Sequence, residues 1–208
     1  MIAIVDYKAG NLTSVLRALE RLGQTAVITG NPEVIRRAGR VVFPGVGAAG
    51  EAMRNLRELG LVEVLREVSQ TKPFLGICLG YQILFEHSDE DGGVECLGIL
   101  PGHVVRFPEP LRSPHEARPL KVPHMGWNEV RFTRQHPVWD GVPPGSEFYY
   151  VHSYYPVPQP EDVCAETDYG VTFAGGVARG LLVGFQSHPE KSGEPGLRLL
   201  KNFCTWQP

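Results

Sequence analysis

Lys72-Pro73-Phe74-Leu75-Gly76-Ile77-Cys78-Leu79-Gly80-Tyr81-Gln82 is the stretch that decides how this chain folds. Residues 73–77 spell a short apolar strand and residues 79–85 an apolar helix, with a single cysteine at the junction. Gly76 and Gly80 stand on either side of Cys78. That spacing lets the backbone turn sharply and lets helix and strand pack closely behind the turn. An elbow of this kind projects the cysteine at the mouth of a sheet, over a helix N-terminus whose unpaired N–H groups favour a thiolate. Cys78 is therefore a candidate nucleophile. The competing reading is a structural cysteine buried at a strand end.

Working outward, the first 87 residues alternate strand and helix. Residues 2–5 form an apolar run suited to a strand buried on both faces. Leu12, Val15, Leu16, Leu19 and Leu22 follow at helical spacing, and Gly23 closes that helix. Residues 25–29 and 40–43 read as strands, and 51–68 as one or two amphipathic helices. This order predicts an α/β fold with a doubly wound, mostly parallel central sheet. In the second half, strands are predicted over 97–100, 104–107, 129–132, 148–151, 163–167, 171–174 and 181–185, between proline- and glycine-rich turns. They read as antiparallel additions on one side of the sheet. Residues 193–206 form a closing amphipathic helix through Leu197, Leu200 and Phe203. The proline-rich residues 108–120 read as a surface loop. No repeat or boundary interrupts the chain, so a single domain is expected over 1–208.

Composition narrows the classes of function. Hydrophobic residues make up 42% and charged residues 21%, ordinary for a globular protein. The net charge of −3 comes without a basic run, which gives nucleic-acid binding little electrostatic support. No stretch approaches the roughly 20 apolar residues of a membrane span. Met1 leads straight into a strand, leaving no room for a signal peptide. Cys78, Cys96, Cys164 and Cys204 are scattered without disulfide-module or C-x-x-C spacing, which suggests a reduced, cytoplasmic setting. Cys96 and His103 are too isolated to argue for zinc, so no metal or cofactor is expected.

A nucleophilic cysteine needs a base. Residues 181–185 are an apolar strand that runs through Gln186 and Ser187 into His188-Pro189-Glu190. Histidine is the usual general base for a cysteine, and a carboxylate commonly orients it. In extended backbone, residues two apart point the same way, so His188 and Glu190 are expected to face one cleft. Taken alone, a strand-end histidine and a solvated glutamate would be the blander account.

At this point the chain resembles a known family. Gly76-Ile77-Cys78-Leu79-Gly80-Tyr81-Gln82 and His188-Pro189-Glu190 are similar to the two signatures of the class I, triad-type glutamine amidotransferases. Pro44-Gly45-Val46-Gly47, Pro123-His124-Met125-Gly126-Trp127-Asn128, Tyr150-Val151-His152-Ser153-Tyr154-Tyr155 and Lys191-Ser192-Gly193 narrow the resemblance to the glutaminase subunits of imidazole glycerol phosphate synthase. It runs from Asp6 to the final helix. Two departures stand out: Tyr81 where the family usually carries methionine, and Ser187 where it usually carries an aromatic. Both bear on pocket shape.

The resemblance implies a glutaminase in which Cys78 attacks the glutamine side-chain amide, His188 moves the proton and Glu190 orients the ring. A thioester forms and water releases glutamate. Elbow geometry makes the Leu79 N–H one oxyanion donor and the glycine-rich loop offers a second, that of Gly47; an ordinary strand-to-helix turn is the alternative for that loop. Gln82 follows Cys78 by one helical turn, and the family makes it a contact to substrate glutamine, although a capping or core-edge amide is equally consistent with spacing. The family also lines the glutamine pocket with His152, Ser153 and Tyr154. It implies a (βα)8-barrel cyclase partner in a heterodimer, receiving ammonia through a sealed channel for histidine biosynthesis. Asn11, Trp127 and Lys191 match positions near that interface; for Trp127 the alternative is plain core. Other readings are the glutaminase subunit of anthranilate or pyridoxal phosphate synthase, and a non-catalytic subunit of the same fold.

Overall fold

A computed structural model describes residues 1–8, 10–112 and 119–208. Its strands are β1 (Ile2–Val5), β2 (Ala26–Thr29), β3 (Arg40–Gly45), β4 (Phe74–Cys78), β5 (His87–Ser88), β6 (Val94–Glu95), β7 (Gly102–Arg106), β8 (His124–Glu129), β9 (Arg131–Phe132), β10 (Glu147–His152), β11 (Tyr154–Pro158), β12 (Val163–Tyr169), β13 (Val171–Arg179) and β14 (Leu182–Phe185). The helices are α1 (Leu12–Arg21), α2 (Pro32–Arg37), α3 (Ala49–Glu58), α4 (Val62–Thr71), α5 (Leu79–Gln82) and α6 (Gly193–Thr205).

The central sheet runs β2-β1-β3-β4-β14-β13-β12-β9. Pairings from β2 through β14 are parallel; those of β13 with β14 and β12, and of β12 with β9, are antiparallel. The expected doubly wound sheet with later antiparallel strands is what the chain adopts. Both sides are covered. Leu12, Val15 and Leu19 of α1 and Leu199, Leu200 and Phe203 of α6 pack on one face; Ile35, Leu56, Val64, Leu65 and Val68 from α2, α3 and α4 pack on the other. Each such side chain contributes about 1.5–3 kcal/mol by leaving water. Local signals agree with these elements. Gly23 takes φ 71° after α1 and donates to the Glu20 carbonyl. Asn31 caps α2 by accepting from the Glu33 N–H at 2.9 Å, with Pro32 at the first position.

Four expectations need correction. The helix after Cys78 is a single turn, α5, and does not continue to residue 85. The carbonyls of Ile83, Leu84 and Phe85 accept from the N–H groups of Leu97, Ile99, Leu100 and Gly98, so a loop takes the bonds a longer helix would need. That same use of backbone makes 97–100 a loop and not a strand. The second-half strands do not all join one edge: β8 with β10 form a separate ribbon, and β11-β7-β5-β6 a further sheet. Met125 and Trp127 sit in β8, a strand the sequence reading missed because glycine and asparagine break its pattern. Of the loop expected over 108–120, residues 113–118 lie outside the described residues.

The two glycines around Cys78 serve close approach. A Cβ on Gly80 would overlap the Phe43 carbonyl oxygen, and one on Gly76 would lie 2.9 Å from Leu84 Cδ1. Gly80→Ala is expected to destabilise the fold by about 3 kcal/mol or more, because backbone and not a flexible side chain opposes the methyl. Urea unfolding checks this, and an unchanged midpoint would contradict the packing argument.

Candidate active site

Topology brings together residues far apart in sequence. β14 lies directly beside β4, with Phe185 opposite Ile77, so the chain leaving β14 passes Cys78 at once. On the other side of β4, Gly45 pairs with Cys78, which sets the Val46-Gly47 segment next to the elbow. The end of β10 closes a third side, its Val151 carbonyl 4.0 Å from Cys78 Sγ. Cys78 itself has φ 54° and ψ −115°, a conformation that strains an L-residue. The turn is therefore made by the cysteine's own backbone, while the flanking glycines make room. With only one turn in α5, the local amides facing Cys78 matter more than any macrodipole.

His188 lies past the strand end, 1% exposed, and Glu190 follows within a 3-10 turn over Pro189–Lys191. The extended-backbone expectation fails for this pair, yet their side chains meet: His188 Nδ1 is 2.8 Å from Glu190 Oε1. The ring's main chain is pinned. Its N–H donates to the Tyr149 carbonyl at 2.9 Å, and its carbonyl accepts from Ser192 Oγ at 2.6 Å. Ser192, fully buried, also accepts from the Tyr149 N–H at 3.0 Å. Among the described residues His188 Nε2 and Glu190 Oε2 have no hydrogen-bond partner. Burial disfavours the imidazolium, but the Cys78 sulfur and the Glu190 carboxylate outweigh it, and the His188 pKa is raised to about 10. The ring of His188 thus lies between the influence of the Cys78 sulfur and the Glu190 carboxylate, the parts of a nucleophile, a base and an orienting group.

The expected pocket residues form a connected wall. Gln82 is buried, and its Nε2 donates to the Tyr154 carbonyl at 2.9 Å and to Gln186 Oε1 at 3.0 Å. His152 Nδ1 lies 2.8 Å from the same carbonyl. The Ser153 carbonyl accepts from the Phe107 N–H, which ties the strand's turn to the core. His152 is pushed down to about 3 by burial and by His124, so it stays neutral and is unsuited to serve as the base. Gly47 is exposed with φ 96°, and Leu79 follows Cys78 directly as the elbow requires.

The two departures both fall in the core. The Tyr81 ring sits against Gly184 and Phe85, and its hydroxyl donates to the Ala174 carbonyl at 3.3 Å. Ser187 is buried beside the Tyr150 hydroxyl. Around the site's rim, Asn11 and Lys191 are exposed, and Trp127 and Met125 are 54% and 62% exposed. Trp127 packs edge-on to Tyr149, whose ring also meets Lys191 Nζ, so it is a surface residue and not core. Among the described residues no three His, Cys, Asp or Glu converge as metal ligands.

Gln186, Ser192 and His124 stand in the quoted motifs or beside them without a site role expected from sequence. Gln186 is fully buried and its Nε2 lies 3.8 Å from Cys78 Sγ. A signal existed: it is the polar residue two before His188 at the end of an apolar strand, hence on the same side.

Comparison with known proteins identifies the family. The family model for class-I glutamine amidotransferases matches residues 3–206. The imidazole glycerol phosphate synthase subunit HisH of Methylococcus capsulatus is 51% identical over 211 residues, covering 100% of this chain and 97% of its own. The HisH subunit of Aromatoleum aromaticum is 50% identical over 210 residues, covering 100% and 99%. Among solved structures, PurLQS from Thermotoga maritima shares the fold with a TM-score of 0.69 at 16% identity, over 98% of this chain and 97% of that one.

Proposed function

This chain belongs to the class-I glutamine amidotransferases, among the HisH subunits of imidazole glycerol phosphate synthase, and on that premise we propose that Cys78, His188 and Glu190 are the triad with which it hydrolyses glutamine. The protein is the glutaminase subunit of that synthase and serves histidine biosynthesis. The observation that carries the assignment is the buried 2.8 Å contact between His188 and Glu190, on the segment that leaves β14 alongside Cys78.

In the first half-reaction the Cys78 sulfur forms a bond to the amide carbon of glutamine, and the carbonyl oxygen becomes an oxyanion. The N–H groups of Leu79 and Gly47 stabilise it. The imidazolium of His188 gives its proton to the departing nitrogen, the C–N bond breaks, and ammonia leaves a thioester on Cys78. His188, now neutral, takes a proton from water as hydroxide adds to the thioester carbon; the C–S bond then breaks, Cys78 leaves as thiolate beside the imidazolium, and glutamate departs with its carboxyl proton lost to solvent. Glu190 holds the ring's tautomer throughout. Gln82 has both amide hydrogens engaged, which leaves its Oε1 to accept from the substrate's α-ammonium group. His152, Ser153 and Tyr154 wall the same pocket.

Ammonia in neutral water is mostly protonated and unreactive, so it must pass to its acceptor without escaping. The partner is a (βα)8-barrel cyclase, forming a heterodimer in the cytoplasm, and Asn11, Trp127, Met125 and Lys191 form the face that meets it. Val46, 37% exposed, lies against Gly10, the neighbour of Asn11, at the oxyanion segment. Gly45 is held in β3 by close packing, whereas Gly47, exposed at φ 96° with open space around it, leaves the Val46–Gly47 peptide free to turn its N–H toward or away from the oxyanion. Docking favours the productive orientation. Glutamate release is therefore expected to be slow for the chain alone and to rise by ~10²–10³ with the cyclase and its nucleotide substrate, the range associated with one oxyanion donor. Full activity in the isolated chain would overturn the switch and leave the triad standing.

A further inference from the structure

The hydrogen bonds around Tyr154 fix the direction of every amide and ring in the wall behind Cys78. A carbonyl can only accept, so the Gln82 atom 2.9 Å from the Tyr154 carbonyl is nitrogen. That nitrogen is also 3.0 Å from Gln186, which therefore presents its oxygen there. The Gln186 –NH2 is left facing Cys78 Sγ at 3.8 Å, within the longer reach of a sulfur acceptor. The other donor on the same carbonyl behaves alike. His152 Nδ1 carries the hydrogen, so its Nε2 accepts from His124 Nδ1 at 3.0 Å. His124 Nε2 in turn accepts from Asn128 Nδ2 at 3.2 Å.

We propose that Gln186 is a further catalytic residue, whose side-chain amide donates to the nucleophilic sulfur and is locked in that orientation by Gln82 and the Tyr154 carbonyl. Every alternative orientation breaks a buried bond: turning the Gln186 amide would set two –NH2 groups face to face at Gln82 and aim an oxygen at the sulfur. A donor at this point favours thiolate over thiol and steers the sulfur toward the pocket. His188 alone would supply one direction of restraint; Gln186 supplies a second. This rests on Cys78 being the nucleophile, and the test separates the two claims.

The ionisable groups that act on that sulfur are Tyr7 beyond β1 and His188 beyond β14, and those that act on His188 in turn are Glu190 and His152 at the end of β10; a change at residue 186 leaves all of them in place. Gln186→Met keeps length and removes the donor. The pH dependence of Cys78 alkylation by iodoacetamide, followed by peptide mass spectrometry, should move its midpoint up by about one unit, the worth of one hydrogen bond to a charged acceptor. The kcat for glutamine hydrolysis in the cyclase complex should fall about tenfold by the same measure, with KM little changed. A merely structural residue would lower the melting temperature without moving the midpoint. If Gln186→Met does not fold, Gln186→Glu retains the oxygen that Gln82 needs and opposes the sulfur with a carboxyl; its midpoint should rise further. An unmoved or lowered midpoint in the folded variant overturns the proposal. Persisting activity in Cys78→Ala would instead overturn the nucleophile itself.

Discussion

Cys78→Ala is expected to lose glutamine hydrolysis by roughly 10⁶-fold, the scale on which removal of a triad nucleophile acts, while keeping its fold. The other cysteines cannot substitute. Cys96, Cys164 and Cys204 are buried, and burial pushes each thiol up, to about 12 for Cys96 and about 11 for Cys204. None faces His188 in place of Cys78. The backbone at position 78 adds a second readout. With φ 54° and ψ −115°, a Cβ is strained there and a glycine is not, so Cys78→Gly should be more stable than Cys78→Ala by about 1–3 kcal/mol. Both variants should be inactive. Denaturant midpoints of the two proteins check the sign, and equal stability would mean that the elbow stores no strain.

His188→Asn should approach the loss seen for Cys78→Ala, whereas Glu190→Gln should retain roughly 10–100 times more activity. The base transfers protons in both half-reactions; the carboxylate only orients it. Equal losses would indicate that the pair acts through structure alone. A linked effect on stability follows from protonation. The His188 pKa is raised from 6.5 to about 10 in the folded protein, so folding favours the bound proton. That contribution is complete below about pH 6.5 and disappears as pH rises through about 10. The stability gap between wild type and His188→Asn should therefore narrow over that window, and a gap that widened would contradict the imidazolium assignment.

Much of the architecture was legible because it rests on local rules. Apolar runs such as Ile2-Ala3-Ile4-Val5 become strands buried on both faces, and Gly76 and Gly80 around a single cysteine announce close packing at a sharp turn. What escaped notice depends on partners distant in sequence. Residues 83–85 carry helix-forming side chains, but their carbonyls bond to the 97–100 loop, and no local pattern records that. His188 and Glu190 met as expected through a backbone geometry that differs from the one expected, because Pro189 opens a tight turn. Gln186 and His124 were visible as polar letters within apolar surroundings. Their roles appear only when the Tyr154 carbonyl, on another strand, fixes Gln82 and His152, the side chains to which Gln186 and His124 bond. Tyr81 and Ser187 looked like changes to the pocket and prove to be packing solutions in the core, set against Gly184 and Tyr150.

The most direct test of the account is mass spectrometry of the protein after treatment with an electrophilic chloroketone analogue of glutamine, in the presence of the cyclase. The geometry predicts one adduct, on the peptide carrying Cys78, blocked by excess glutamine and absent from Cys78→Ala. An adduct on Cys96, Cys164 or Cys204, or glutamine hydrolysis that survives complete modification of Cys78, would contradict it.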